Sequence, residues 1–93
     1  ASGAAKRYAQ AVFSLAREAG NFDQWQADLA RLAAIVGDER ASFYLASPNN
    51  SEADKLKFLD AALAQKSAES RNLVRLLLQR QRLGIVPEMA RIF

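Results

Sequence analysis

The 93-residue sequence contains no cysteine and no histidine. Without cysteine the chain can form neither a disulfide nor a thiolate metal site. Without histidine it lacks the commonest metal ligand and the commonest general base. It has only four glycines, which lie too far apart for a dinucleotide-binding or P-loop fingerprint. These absences argue against an enzyme, and we expect no catalytic residue, no cofactor and no metal site.

Long apolar runs are missing as well. The longest is residues 32–36, far short of the roughly 20 residues that a membrane-spanning helix needs. The composition is 51% hydrophobic and 25% charged, which is typical of a globular domain that folds alone. The length allows one core, so we predict one helical domain over residues 1–93.

Helix boundary signals punctuate the first part of the chain. Residues 4–19 are rich in alanine, and Gly20 lies where a left-handed residue would end a first helix. Asn21 followed by Gln24 is typical of a capping box that begins a second helix. Apolar residues with helical spacing continue that helix to Gly37, and Trp25 on this stripe is expected to anchor the core.

Three further N-cap signals follow. Asp38 predicts the start of a short third helix that Pro48 ends, and Ser51 predicts the start of a fourth. Ser67 predicts a fifth helix over residues 68–82. Two apolar residues, Ile35 and Phe58, lie off the stripes of their helices, so each is expected to contact another element.

A sixth helix is predicted near the end of the sequence. Leu83 and Gly84 interrupt the fifth helix, and Pro87 is suited to the first turn of another. No window alternates with period two, so strands are not expected. The predicted fold is an all-α six-helix bundle. No stop signal precedes Phe93, and we expect the chain to be the N-terminal fragment of a longer protein.

The first and fifth helices carry unusually wide apolar faces. At about 100° per residue, the apolar residues of each cover an arc of roughly 200°, twice the arc that a helix facing one core needs. Both helices could simply lie at the centre of the bundle with neighbours on two sides. Alternatively, one edge of each arc is open and binds a partner helix in a groove. Small residues such as Ala4 and Ala11 would let another backbone approach.

Positive charge is concentrated at the C-terminal end. Residues 1–45 contain five basic and five acidic residues, whereas residues 71–93 contain five arginines and one glutamate. This pattern is common for a solvated helix face. It also permits an alternative function, a small basic domain that binds nucleic acid. The arginines of that alternative are Arg71, Arg75, Arg82 and Arg91.

The order of several motifs resembles a known family. The sequence begins with KRYAQAVFSLA at residues 6–16, followed by Trp25, and continues with NLVRLLL at residues 72–78. An Arg-Leu pair at 82–83 then precedes a proline. Together these motifs resemble the N-terminal domain of the delta subunit of F-type ATP synthases, whose mitochondrial counterpart is the oligomycin sensitivity-conferring protein. The resemblance covers essentially the whole chain. One departure is Gln81, where the family often has glycine.

The resemblance implies a non-catalytic stator module at the top of the catalytic head. In that family the N-terminal helix of an alpha subunit lies between the first and fifth helices, and a C-terminal domain absent from this sequence joins the b subunit of the peripheral stalk. It implies no nucleic acid partner and only indirect association with the energy-transducing membrane, on the bacterial cytoplasmic side or in an organellar matrix or stroma. The matching groove residues are Tyr8, Ala11, Leu15, Leu73, Leu76 and Arg80.

Overall fold

The computed structural model describes residues 3–63 and 67–93. Within these residues the chain forms helices and no strand, so the all-α prediction is confirmed. The described residues form six α-helices, which are α1 (Gly3–Ala19), α2 (Phe22–Gly37), α3 (Glu39–Ala46), α4 (Glu52–Ala62), α5 (Ala68–Gln79) and α6 (Val86–Ile92). A 3₁₀ turn at Leu83–Ile85 joins α5 to α6.

Helix α2 lies at the centre of the bundle and packs against α1, α3, α4 and α6. Helix α6 also packs against α1, and α5 packs against α4. Trp25 is 3% exposed in the core, as predicted, and Ile35 packs against the same core. Phe58 contacts the ring of Tyr44, with 5.2 Å between the ring centroids. Phe58 therefore contacts another helix, as predicted, and Ile35 contacts the core.

Three of the predicted N-caps are confirmed. In each, a side-chain oxygen accepts a hydrogen bond from the backbone N–H three residues later, which satisfies a donor that the helix leaves free. The pairs are Asp38 with Ala41 at 2.9 Å, Ser51 with Asp54 at 3.0 Å and Ser67 with Ser70 at 3.1 Å.

The capping box predicted at Asn21 and Gln24 is wrong. Asn21 does precede α2, but its side chain makes no capping hydrogen bond. Gly20 and Asn21 are the only residues between α1 and α2, and both take part in ending α1. Gly20 adopts φ 68°, and the Asn21 N–H donates a hydrogen bond to the carbonyl of Ala16 at 3.1 Å. Ending α1 therefore sets the Asn21 backbone at φ −123° and ψ 42°, outside the extended region that a capping residue normally uses.

Helix α5 ends at Gln79, three residues before the predicted end at Arg82. Gln81 adopts φ 56°, the left-handed conformation that closes many helices. The Gln81 N–H donates to the carbonyl of Leu78 at 3.1 Å, and the Arg82 N–H donates to that of Leu77 at 2.8 Å. A glutamine thus performs the terminating role that glycine performs most easily.

Candidate partner-binding surface between α1 and α5

The wide apolar arc of α1 is divided into a buried centre and two exposed sides. The centre consists of small or β-branched residues that are at most 3% exposed, namely Ala5, Ala9, Val12 and Ala16. Such residues let the backbone of α1 lie close to α2 and α6. Apolar side chains on both sides of this centre therefore remain available for other contacts.

One side of α1 carries three of the predicted site residues. At about 100° per residue, Tyr8, Ala11 and Leu15 lie on the same side of the buried centre. Tyr8 is half-buried and packs against the core. Ala11 is exposed, and Leu15 is 47% exposed. This side of α1 is an apolar strip with a single hydroxyl group.

Helix α5 carries the other three. Its buried centre contains Val74 and Leu77, and Leu73, Leu76 and Arg80 lie together on one side of that centre. The two leucines are partly buried, and Leu73 packs against the core. Arg80, at the C-cap of α5, is exposed. This side of α5 is therefore apolar in its middle, with the exposed carboxylate of Glu69 one turn before Leu73 and the cation of Arg80 at its C-terminal end.

The two strips meet at Tyr8 and Arg80. Nη1 of Arg80 donates a hydrogen bond to the phenolic oxygen of Tyr8 at 3.2 Å, across 72 positions of sequence. This contact brings the predicted walls of the groove together at one point. Ala11, Leu15 and Leu76 lie on the same sides of their helices and are not among the buried residues. The chemistry of this surface suits burial against another apolar helix.

The opposite side of α1 contains an aromatic cluster that helical spacing does not predict. Phe13 lies 5.0 Å from Phe22 and 6.1 Å from Phe93, measured between ring centroids. Phe22 and Phe93 are also 6.1 Å apart. Phe13 and Phe22 remain 44% and 36% exposed. The width of the arc was a signal for Phe13, but helical spacing cannot show that three distant rings come together.

Two arginines of the nucleic-acid alternative lie on α5, and the other two lie on the segments that follow it. Arg71 forms a salt bridge with Asp60, and Arg75 lines the same cavity between α4 and α5. Arg82 precedes the 3₁₀ turn, and Arg91 lies in the last turn of α6. One of the four charges is already paired, so this arrangement gives no support to a nucleic-acid surface.

A metal site would need clustered ligands, and a membrane span would need a long apolar helix. Among residues 3–63 and 67–93, no three or more acidic side chains lie close enough together to hold a metal ion. In that same part of the chain, no helix combines the length and apolar character that crossing a membrane requires.

The sequence is similar to known proteins along nearly its whole length. Residues 4–93 match the family model described as ATP synthase delta (OSCP) subunit. The chain is 36% identical over 90 residues to ATP synthase subunit delta of Hydrogenovibrio crunogenus, and 39% identical over 90 residues to that of Hahella chejuensis. Each alignment covers 96% of this chain and 51% of the relative. The chain thus spans about half the length of the curated relatives it matches.

Proposed function

This chain belongs to the ATP synthase delta (OSCP) subunit family, and we propose that it is a stator module of a proton-transporting F-type ATP synthase. The delta subunit is a structural, peripheral subunit and is not itself catalytic. In this proposal the strips of α1 and α5 bind the N-terminal amphipathic helix of an alpha subunit. The b subunit of the peripheral stalk is bound by the other half of the delta subunit, the part of the relatives that this chain does not match.

One observation carries the proposal. Two apolar strips on α1 and α5 meet through the Arg80–Tyr8 hydrogen bond, yet Ala11 and Leu15 remain exposed beside that contact. An amphipathic helix binds a groove of this kind by inserting apolar side chains at helical spacing. Ala11 has no side chain beyond Cβ, so a second helix backbone could approach α1 closely there.

In this proposal the contact with the alpha-subunit helix has a mechanical role. A stator holds the catalytic head against the torque of the rotor, so the contact must dissociate slowly. Full burial of an apolar side chain contributes about 1.5 to 3 kcal/mol, and four or five such side chains provide ample gross free energy. Ordering the partner helix offsets part of that sum. Tight binding is therefore available without any catalytic residue.

The test is a calorimetric titration with a peptide of about 20 residues from the N-terminus of the alpha subunit of the same source. Saturable one-to-one binding is expected, with little change between low and high salt because the groove is mainly apolar. Binding that weakens steeply with salt would instead favour the electrostatic, nucleic-acid type of surface.

Ala11→Asp places a charge in the groove and should abolish this binding while the fold remains intact, because Ala11 is exposed. Ala30→Asp is the matched control, since Ala30 is also an exposed alanine within a helix but lies on α2. Unchanged binding by Ala11→Asp, or equal losses in both variants, would overturn the placement of the groove. Circular dichroism verifies that both variants are folded.

A further inference from the structure

Helices α4 and α5 line an open surface cavity of about 280 Å³. Its apolar lining comes from Leu56, Leu63 and Val74. Leu63 and Val74 are each 3% exposed and belong to the core, and Leu56 packs against that core. The cavity therefore has a firm apolar floor and is large enough for an aliphatic side chain.

The rim of this cavity is cationic. Lys57, Asp60, Arg71 and Arg75 also line it. Nε of Arg71 lies 2.8 Å from Oδ1 of Asp60, so the carboxylate of Asp60 already pairs with one of these cations. Lys57 and Arg75 are exposed, and neither has an ion-pair partner among the described residues. Among the described residues of the rim, three cations and one carboxylate give a formal charge of +2.

This cavity lies on a different side of α5 from the alpha-subunit surface. Positions 71, 74 and 75 fall within one arc of the helix, whereas positions 73, 76 and 80 fall within another, beyond the buried Leu77. A ligand in the cavity would therefore contact α4 and α5 and leave α1 free. The inference is independent of the function proposed for the α1–α5 surface.

We propose that the cavity is a second docking site, for an acidic amphipathic peptide segment. One leucine-sized side chain of that segment occupies the space above Leu56, Leu63 and Val74, and its carboxylates lie beside Lys57 and Arg75. An apolar floor favours a peptide over nucleic acid, because a phosphate backbone has no aliphatic group to insert. Exposed ion pairs contribute little individually, so the inserted side chain and the charges must act together.

The probe is a fluorescein-labelled peptide of acidic and leucine residues, with the sequence EELLEELLEELL, whose binding is followed by fluorescence anisotropy. Replacing both Lys57 and Arg75 with glutamine should weaken binding at least tenfold. The matched control replaces Lys6 and Arg40 with glutamine, which removes one exposed lysine and one exposed arginine that do not line the cavity. That control should bind within about threefold of the original chain.

Two further measurements separate the alternatives. The peptide EESSEESSEESS retains the charge without apolar side chains and should bind at least tenfold more weakly than the leucine peptide. The variant Ala11→Asp should bind the leucine peptide normally, which distinguishes this cavity from the α1–α5 surface. Equal losses in the two double variants, no saturable binding by the folded chain, or binding to anionic lipid vesicles in preference to the peptide would each overturn the proposal.

Discussion

The hydroxyl group of Ser70 donates a hydrogen bond to Oδ2 of Asp28 and so ties α5 to α2 across 42 positions of sequence. Both residues are 1% exposed. The other carboxyl oxygen of Asp28 has no hydrogen-bond partner among the described residues. Ser67, the N-cap of α5, contacts the same hydroxyl at 3.0 Å, so the start of α5 and a buried carboxyl group of α2 form one polar network.

Replacing Ser70 with alanine should lower the free energy of unfolding by about 1 to 3 kcal/mol, because both oxygens of a buried carboxyl group would then lack a partner. The double variant Ser70→Ala with Asp28→Val should be less destabilised than Ser70→Ala alone, because the buried polar group is also removed. Urea unfolding measures both values.

Ser42→Ala is the control, at an exposed serine within α3, and should change the free energy of unfolding by less than about 0.5 kcal/mol. If the double variant has a lower free energy of unfolding than Ser70→Ala alone, the polar network contributes net stability.

Gln81→Gly should raise the free energy of unfolding by about 1 kcal/mol, because a side chain in the left-handed region costs about that amount and glycine avoids it. Gln79→Gly is the control. Gln79 is the last residue of α5, where glycine should destabilise by up to about 1 kcal/mol. Thermal and urea unfolding would reveal the opposite signs. If both variants lose stability, the φ of Gln81 is not a source of strain.

Leu15→Gln should weaken binding of the alpha-subunit peptide by at least tenfold, whereas Phe13→Gln should leave it nearly unchanged. The two side chains are 47% and 44% exposed, but they lie on opposite sides of α1. Phe13→Gln should instead lower stability, because it removes ring contacts to Phe22 and Phe93. Calorimetry and unfolding experiments measure the two effects separately. Stronger loss of binding in Phe13→Gln would place the partner on the aromatic side.

Ser51→Ala should reduce the free energy of unfolding by about 1 kcal/mol, since it removes the hydrogen bond that caps α4. Asn21→Ala makes the useful comparison, because Asn21 also precedes a helix but makes no capping bond, and its buried Oδ1 has no described partner. That variant should be close to neutral. A loss at Asn21 as large as that at Ser51 would mean that a capping bond forms in solution.

For the six predicted site residues, the sequence and the structure give different kinds of information. Helical spacing placed Tyr8, Ala11 and Leu15 on an apolar arc, and the structure puts them on one side of α1. Only the folded chain shows that Tyr8 reaches Arg80. That these residues bind an alpha-subunit helix stays a prediction, because a partner's contacts depend on a second chain.

By itself, the sequence determined the helical class, the approximate helix boundaries and the three working N-caps. These features depend on interactions within about four residues, where the chemistry of one side chain and its spacing are decisive. The tertiary structure decided which sides of α1 and α5 stay exposed, that Asp28 is buried beside Ser70 and that three phenylalanines form one cluster. Those outcomes depend on how whole helices pack, and no local pattern specifies which distant side chains will meet.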